Sequence, residues 1–147
     1  MKITIEKMKS KYKDEITEMM KEFYSSDAVS TNGSYEIFSN DIDECVSNSQ
    51  YLEGYVFKCE NKLAGYAMLA KSFSTEFGKP CIWIEDIFIK KEYRKKGIGK
   101  MFFDYIFEKY KGKVFRLEVE HENENALKLY KKSGFDFLPY AEMIKFN

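Results

Sequence analysis

Arg94-Lys95-Lys96-Gly97-Ile98-Gly99-Lys100 combines two close glycines with a run of cations. It follows an apolar, β-branched stretch ending at Ile89 and opens a segment in which Ile98, Met101, Phe102, Tyr105, Ile106 and Lys109 recur at helical spacing. A strand therefore feeds a glycine turn and a helix start. The first turn of a helix leaves N–H groups unpaired and carries the positive end of the macrodipole, which suits phosphate oxygens. Glycines at 97 and 99 remove side chains that would hold a diphosphate away. Lys90, Lys91, Arg94, Lys95, Lys96 and Lys100 are six cations within eleven positions against one acid, Glu92, although the 147-residue chain balances 24 Lys plus Arg with 24 Asp plus Glu. The local cluster predicts a phosphate-bearing ligand. Overall neutrality argues against a nucleic-acid backbone or an anionic membrane as partner.

Rival chemistries fail on residue type. A P-loop needs Ser or Thr after Gly99-Lys100, where Met101 stands, and glycine five positions before Gly99, where Arg94 stands. A dinucleotide fingerprint needs glycine in place of Phe102. The only histidine, His121, has no G-x-S-x-G nucleophile to serve and reads as a surface residue. Cys45, Cys59 and Cys81 are isolated, odd in number and without a CxxC pair, so neither a metal site nor a disulfide framework is expected. Ile3 and Ile5 alternate with polar residues rather than forming a signal-peptide apolar region, and no apolar run approaches the roughly 18 residues of a membrane span. A reducing, cytoplasmic setting is the expectation.

The elements that hold the turn are set by periodicity. With 44% hydrophobic and 17% aromatic content, residues 1–147 can bury one sizeable core and are read as one domain. Ile3 and Ile5 mark a strand. Tyr12, Ile16, Met19, Met20 and Phe23 predict a helix over about residues 11–24. A polar loop from Ser25 to Ser34 precedes a second helical stripe of Phe38, Ile42, Cys45 and Val46, beginning near Ser34. Gly54–Cys59, Leu63–Phe73 and Cys81–Ile89 read as three mostly antiparallel strands. The helix from Ile98 stops near Gly112, and Val114, Phe115, Leu117 and Val119 make a strand. Asn123 or a neighbour caps a short helix to about Lys132, ended by Gly134. Phe135-Asp136-Phe137 and Tyr140–Phe146 close the chain as strands. The expected fold is α/β (α+β), with a central mixed, mostly antiparallel seven-stranded sheet flanked by about four helices.

Arg94-x-x-Gly97-x-Gly99 matches in full the signature R/Q-x-x-G-x-G/A of the GNAT N-acetyltransferases, a family that this sequence resembles over nearly its whole length. Glu85-Asp86 before the turn, Leu117-Glu118-Val119 after it, and Asn123-x-x-Ala126-x-x-x-Tyr130-x-x-x-Gly134-Phe135 extend the likeness. Phe73–Pro80 and Trp83-Ile84-Glu85-Asp86 resemble the diamine and polyamine acetyltransferase branch, and Phe23-Tyr24-Ser25-Ser26-Asp27-Ala28-Val29 resembles a set of bacterial members of the family. The resemblance implies acetyl-coenzyme A as cosubstrate and no metal. The backbone of Ile87, Phe88 and Ile89 would pair with the pantetheine arm. Arg94, Lys95, Lys96, Gly97, Ile98, Gly99 and Lys100 would hold the diphosphate, with Asn123, Asn125, Ala126 and Tyr130 completing the cosubstrate site.

Tyr130 is the candidate general acid, because Asn123, Ala126 and Tyr130 share a helix face and a phenol can return a proton to a leaving thiolate. Glu85 is the first choice of base for the amine, acting through water, with Asp86 and Glu118 as alternatives. The implied function is acetyl transfer to a primary amine of a small polyamine-, aminoglycoside- or amino-acid-like molecule, by direct attack in a ternary complex. Homodimers are common in the family, and no nucleic-acid or membrane partner is expected. Polyamine enzymes carry tryptophan just before the position of Asn123, whereas this chain has Glu120-His121-Glu122. Two readings without catalysis are a phosphate-ligand or RNA-binding module, and a GNAT-fold acyl-coenzyme A sensor.

Overall fold

Period-two patterning becomes five strands in the computed structural model, which describes residues 1–147. They are β1 (Ile3–Lys7), β2 (Leu52–Cys59), β3 (Lys62–Ser74), β4 (Lys79–Ile89) and β5 (Val114–Leu117). The sheet order is β1-β2-β3-β4-β5, antiparallel except for the parallel pair β4 and β5. Four helices carry the 3.6-residue stripes: α1 (Lys13–Tyr24), α2 (Tyr35–Val46), α3 (Ile98–Lys109) and α4 (Glu124–Lys132). No helix is long and apolar enough to cross a membrane.

Local chemistry sets the boundaries. The Ser34 side chain accepts the Ile37 N–H at 3.2 Å, starting α2, and Asn123 accepts the Ala126 N–H at 3.3 Å, starting α4. The two sheet faces build two cores. On one, α3 lays Ile98, Phe102, Phe103 and Ile106 against Tyr55, Phe57, Leu69, Ile82 and Ile84, with Leu129 and Tyr130 of α4 at the margin. On the other, Ile16, Met19 and Met20 of α1 and Phe38 and Ile42 of α2 cover Val56, Tyr66, Met68 and Phe88. Each large apolar side chain so buried contributes roughly 1.5–3 kcal/mol before conformational entropy is counted.

Five strands stand where seven are expected, and the difference lies after α4. Phe135-Asp136-Phe137 is not a strand, because the end of α4 takes its backbone. Gly134, at φ +98°, lets the Phe135 N–H turn back to the Tyr130 carbonyl at 3.0 Å while the Gly134 N–H bonds Lys131 at 3.1 Å, and the Phe135 ring packs 6.1 Å from Tyr130. Tyr140–Phe146 also makes no ladder. Its alternating residues have strand propensity, but a strand forms only where a neighbour pairs with it, and this segment is held by side chains. Tyr140 donates to Glu76 on the β3–β4 turn, while Met143, Ile144 and Phe146 are exposed. The strand from Val114 likewise ends at Leu117 rather than Val119.

Candidate active site

The parallel seam between β4 and β5 opens partway along. Cys81–Ile84 pair with Val114–Leu117, and pairing stops there. The break coincides with an extra residue in β4: Met68 of β3 faces Asp86 and Leu69 faces Ile84, which leaves Glu85 as a β-bulge. Beyond it, β4 stays paired to β3 through Ile89 but has no partner on its other edge. Strand alternation decides which groups face that free edge. Lys90 donates its N–H to Ala64 near the start of β3 at 2.8 Å, so Phe88 turns its backbone groups to β3 while Ile87 and Ile89 turn theirs to the open side. Of the three residues expected to meet an amide arm, Ile87 and Ile89 offer their backbone and Phe88 does not.

The glycine turn lies at the end of this edge. Lys95 at φ +61° and Gly97 at φ +81° bend the chain into the first turn of α3, where Gly97 is the N-cap and supplies no side-chain bond. The backbone N–H groups of residues 95 to 100 find no acceptor within the chain. Such a run of free donors at a helix N-terminus fits phosphate oxygens. The two glycines do different things. A side chain at Gly97 would meet open space, so its glycine serves the left-handed backbone. A Cβ at Gly99 would stand 2.8 Å from Leu129 and 3.8 Å from Ile89, so this glycine lets the end of β4, the start of α3 and α4 close together.

α4 brings the remaining candidates with different emphasis. Asn123 spends its side-chain oxygen on the helix cap, and Asn125 is exposed. Ala126 and Tyr130 lie on the half-buried face. Tyr130 packs edge-on against Phe103 at 5.9 Å, and burial pushes its phenol up to about 12, so it keeps its proton across the neutral range. Its hydroxyl makes no hydrogen bond within the chain.

Around the bulge the structure gathers carboxylates from four segments. Asp86 is 3% exposed, with one oxygen accepting from Tyr24 at 2.9 Å and the other from Tyr66 at 2.8 Å. Burial pushes its carboxyl up against the lowering effect of those two bonds. Glu85 is raised by burial and by the charges of Asp86 and Glu142, and Asp41 of α2 is pushed up to about 6 by burial, Asp86 and Glu85. Glu118 rises to about 7, through a hydrogen bond with Glu142, then burial and the charges of Glu142 and Glu85. None of the chain's ion pairs involves any of these five acids. Negative charge without a counter-ion attracts a cationic ligand and keeps carboxylates basic.

The end of β4, the turn from 95 to 100 and α4 thus come together as expected from sequence, with Glu85 on the bulge. Tyr24, Asp41 and Glu142 escape sequence reasoning. Tyr24 lies in a stretch read only as a likeness to bacterial members, with no role assigned, and Asp41 carries no motif; both reach the bulge because α1 and α2 cover the sheet face that holds Tyr66 and Phe88, and Glu142 lies in a segment expected to be a strand.

Residues 13–135 match the model of the acetyltransferase (GNAT) family. A probable spermine N(1)-acetyltransferase from Bacillus subtilis subsp. natto is 32% identical over 84 residues, 53% of this chain and 55% of the relative. Thialysine N-epsilon-acetyltransferase of Bos taurus is 37% identical over 83 residues, 54% of this chain and 48% of the relative. The chain spans about half the length of the curated relatives it matches. Among solved structures, AAC(6')-Iy in complex with the bisubstrate analogue CoA-S-monomethyl-acetylneamine superposes with a TM-score of 0.79 at 15% identity, covering 100% of this chain and 99% of that one. That likeness shows a shared fold. With its signature turn, its splayed β4 edge and a family match over residues 13–135, the chain belongs to the acetyltransferase (GNAT) family.

Proposed function

We propose that this protein transfers the acetyl group of acetyl-coenzyme A to a primary amine of a small cationic molecule, by direct attack in a ternary complex. The observation that carries the reading is the free edge of β4 running into unpaired N–H groups at residues 95 to 100. An amide-bearing arm can pair with Ile87 and Ile89 as an added strand, and a diphosphate can take the donors beyond them. Lys95, Lys96 and Lys100 add charge there.

The amine attacks the thioester carbonyl and loses a proton, and the coenzyme leaves as a thiolate that gains one. Glu85, lifted above the ordinary carboxylate range by burial and its acidic neighbours, takes the amine proton through water. Tyr130, protonated throughout, donates to the sulfur. A neutral alkylamine at pH 7 costs about 4–5 kcal/mol from a lysine-like pKa, which is the work a base relieves. Asp41, Glu85, Asp86, Glu118 and Glu142 favour a cationic acceptor, in keeping with relatives named for spermine and thialysine. Glu120-His121-Glu122 replaces the tryptophan of the polyamine enzymes, so the acceptor need not be spermine itself.

Release of free thiol from acetyl-coenzyme A, measured across polyamines, aminoglycosides and amino acids, tests the reading. Cationic amines should be acetylated, with their KM rising as pH falls below about 7 and Glu118 gains its proton. No amine-dependent release from any of them would refute it.

A further inference from the structure

Arg94 is the one side chain of the basic turn that bonds back to the main chain. Its Nε–H donates to the Ile89 carbonyl at 2.8 Å, and its guanidinium lies 5.7 Å from the centre of the Phe88 ring. Lys100 instead pairs with Asp104 at 2.7 Å, and Lys96 lies over Tyr93. The carbonyl that Arg94 holds is the last one on the open edge of β4, because the Lys90 N–H next to it points to Ala64. An arm lying along this edge therefore finds Ile87 and the N–H of Ile89, but the C=O of Ile89 is taken.

We propose that Arg94 is a positioning residue that ends the edge on which the coenzyme's amide arm pairs. By closing off the Ile89 carbonyl it stops strand-like pairing there and hands the ligand on to the N–H groups of residues 95 to 100. The inference rests on reading this edge as the coenzyme A site. It assigns Arg94 a role through its Nε rather than through its charge.

Covalent chemistry makes that distinction testable. The Nε of arginine is bonded to Cδ, and so is the amide nitrogen of glutamine. Lysine carries its nitrogen one carbon further out and has no donor on Cδ. Glutamine thus places an N–H on the same carbon as arginine does, and lysine does not. A phosphate contact would select differently: lysine keeps the charge and glutamine loses it.

The test titrates acetyl-coenzyme A and S-acetylpantetheine, which has the amide arm without the diphosphate, into the wild type and the variants Arg94→Ala, Arg94→Gln and Arg94→Lys. Arg94→Ala should weaken both ligands by about tenfold. Arg94→Gln should restore both to within about threefold of the wild type, and Arg94→Lys should stay as weak as Arg94→Ala. Tight acetyl-coenzyme A binding by Arg94→Lys with loss in Arg94→Gln would overturn the proposal, as would S-acetylpantetheine binding indifferent to Arg94→Ala. Melting temperatures are measured first, and if Arg94→Ala does not fold, the Gln and Lys variants decide. A wild type that binds neither ligand removes the coenzyme A reading and the role of Arg94 with it, a result distinct from any pattern among variants.

Discussion

Tyr130 shows how a single residue carries more than its motif. Its place seven residues after Asn123 is readable from sequence, but the burial that lifts its phenol to about 12 comes from packing on Phe103 and Phe135. A phenol this weakly acidic stays protonated at neutral pH, so its hydroxyl remains available as a hydrogen-bond donor to a departing thiolate. Tyr130→Phe keeps the ring contacts and removes only the hydroxyl. It should lower kcat on the order of 10²-fold with little change in acetyl-coenzyme A affinity; an undiminished kcat would take Tyr130 out of the chemistry. Type and spacing mark Arg94 and Gly99 for a phosphate, yet the structure gives Arg94 a bond to Ile89 and Gly99 a packing role against Leu129. A motif names positions, whereas the contact each one makes depends on elements far away in the chain.

At the scale of elements, Glu53 ties β2 to its neighbours. It is 5% exposed and accepts from Tyr110, just past the end of α3, at 2.6 Å and from Tyr55, while Lys7 of β1, Lys71 of β3 and Lys109 of α3 stand at 3.3, 3.2 and 3.2 Å. Burial alone would push its carboxyl up, but the bonds from Tyr110, Tyr55 and Lys71 and the charge of Lys109 hold it well below the usual carboxylate range. A folded-state value lower than the unfolded one gives stability that is present above about pH 4.3 and is lost as pH falls below it. Glu53→Ala should cost roughly 3–5 kcal/mol in urea unfolding at pH 7, since it strands two phenols and three lysines, and should lessen the loss of stability at acid pH. A change under about 1 kcal/mol would contradict this role. The node has no sequence signal, because Glu53 sits in an ordinary strand. What sequence does show is local: Ser34 and Asn123 cap their helices because each cap lies within three residues of its partner. The two strands expected after α4 fail for the converse reason. Residues 140–146 have the composition of a strand, and only the absence of a neighbouring ladder decides that they are not one.

At the scale of the molecule, charge balance hides two opposed fields. Cations collect at residues 90–100, at the end of β4, and uncompensated carboxylates collect around the bulge at Glu85 on the same strand. On the proposed reading, one strand separates a place for a phosphate-bearing donor from a place for a cationic acceptor. The donor half is legible from the signature turn alone. The acidic cluster is not, because it is assembled from α2, β4, the stretch after β5 and the C-terminal segment, with Tyr24 of α1 bonded to Asp86. Thermal unfolding with added acetyl-coenzyme A tests the central claim most directly, since the claimed site exists only in the folded chain. At about 100 times its dissociation constant the ligand should stabilise the fold by roughly 2.7 kcal/mol and raise Tm by roughly 8 °C. An unmoved Tm at millimolar acetyl-coenzyme A would contradict the claim.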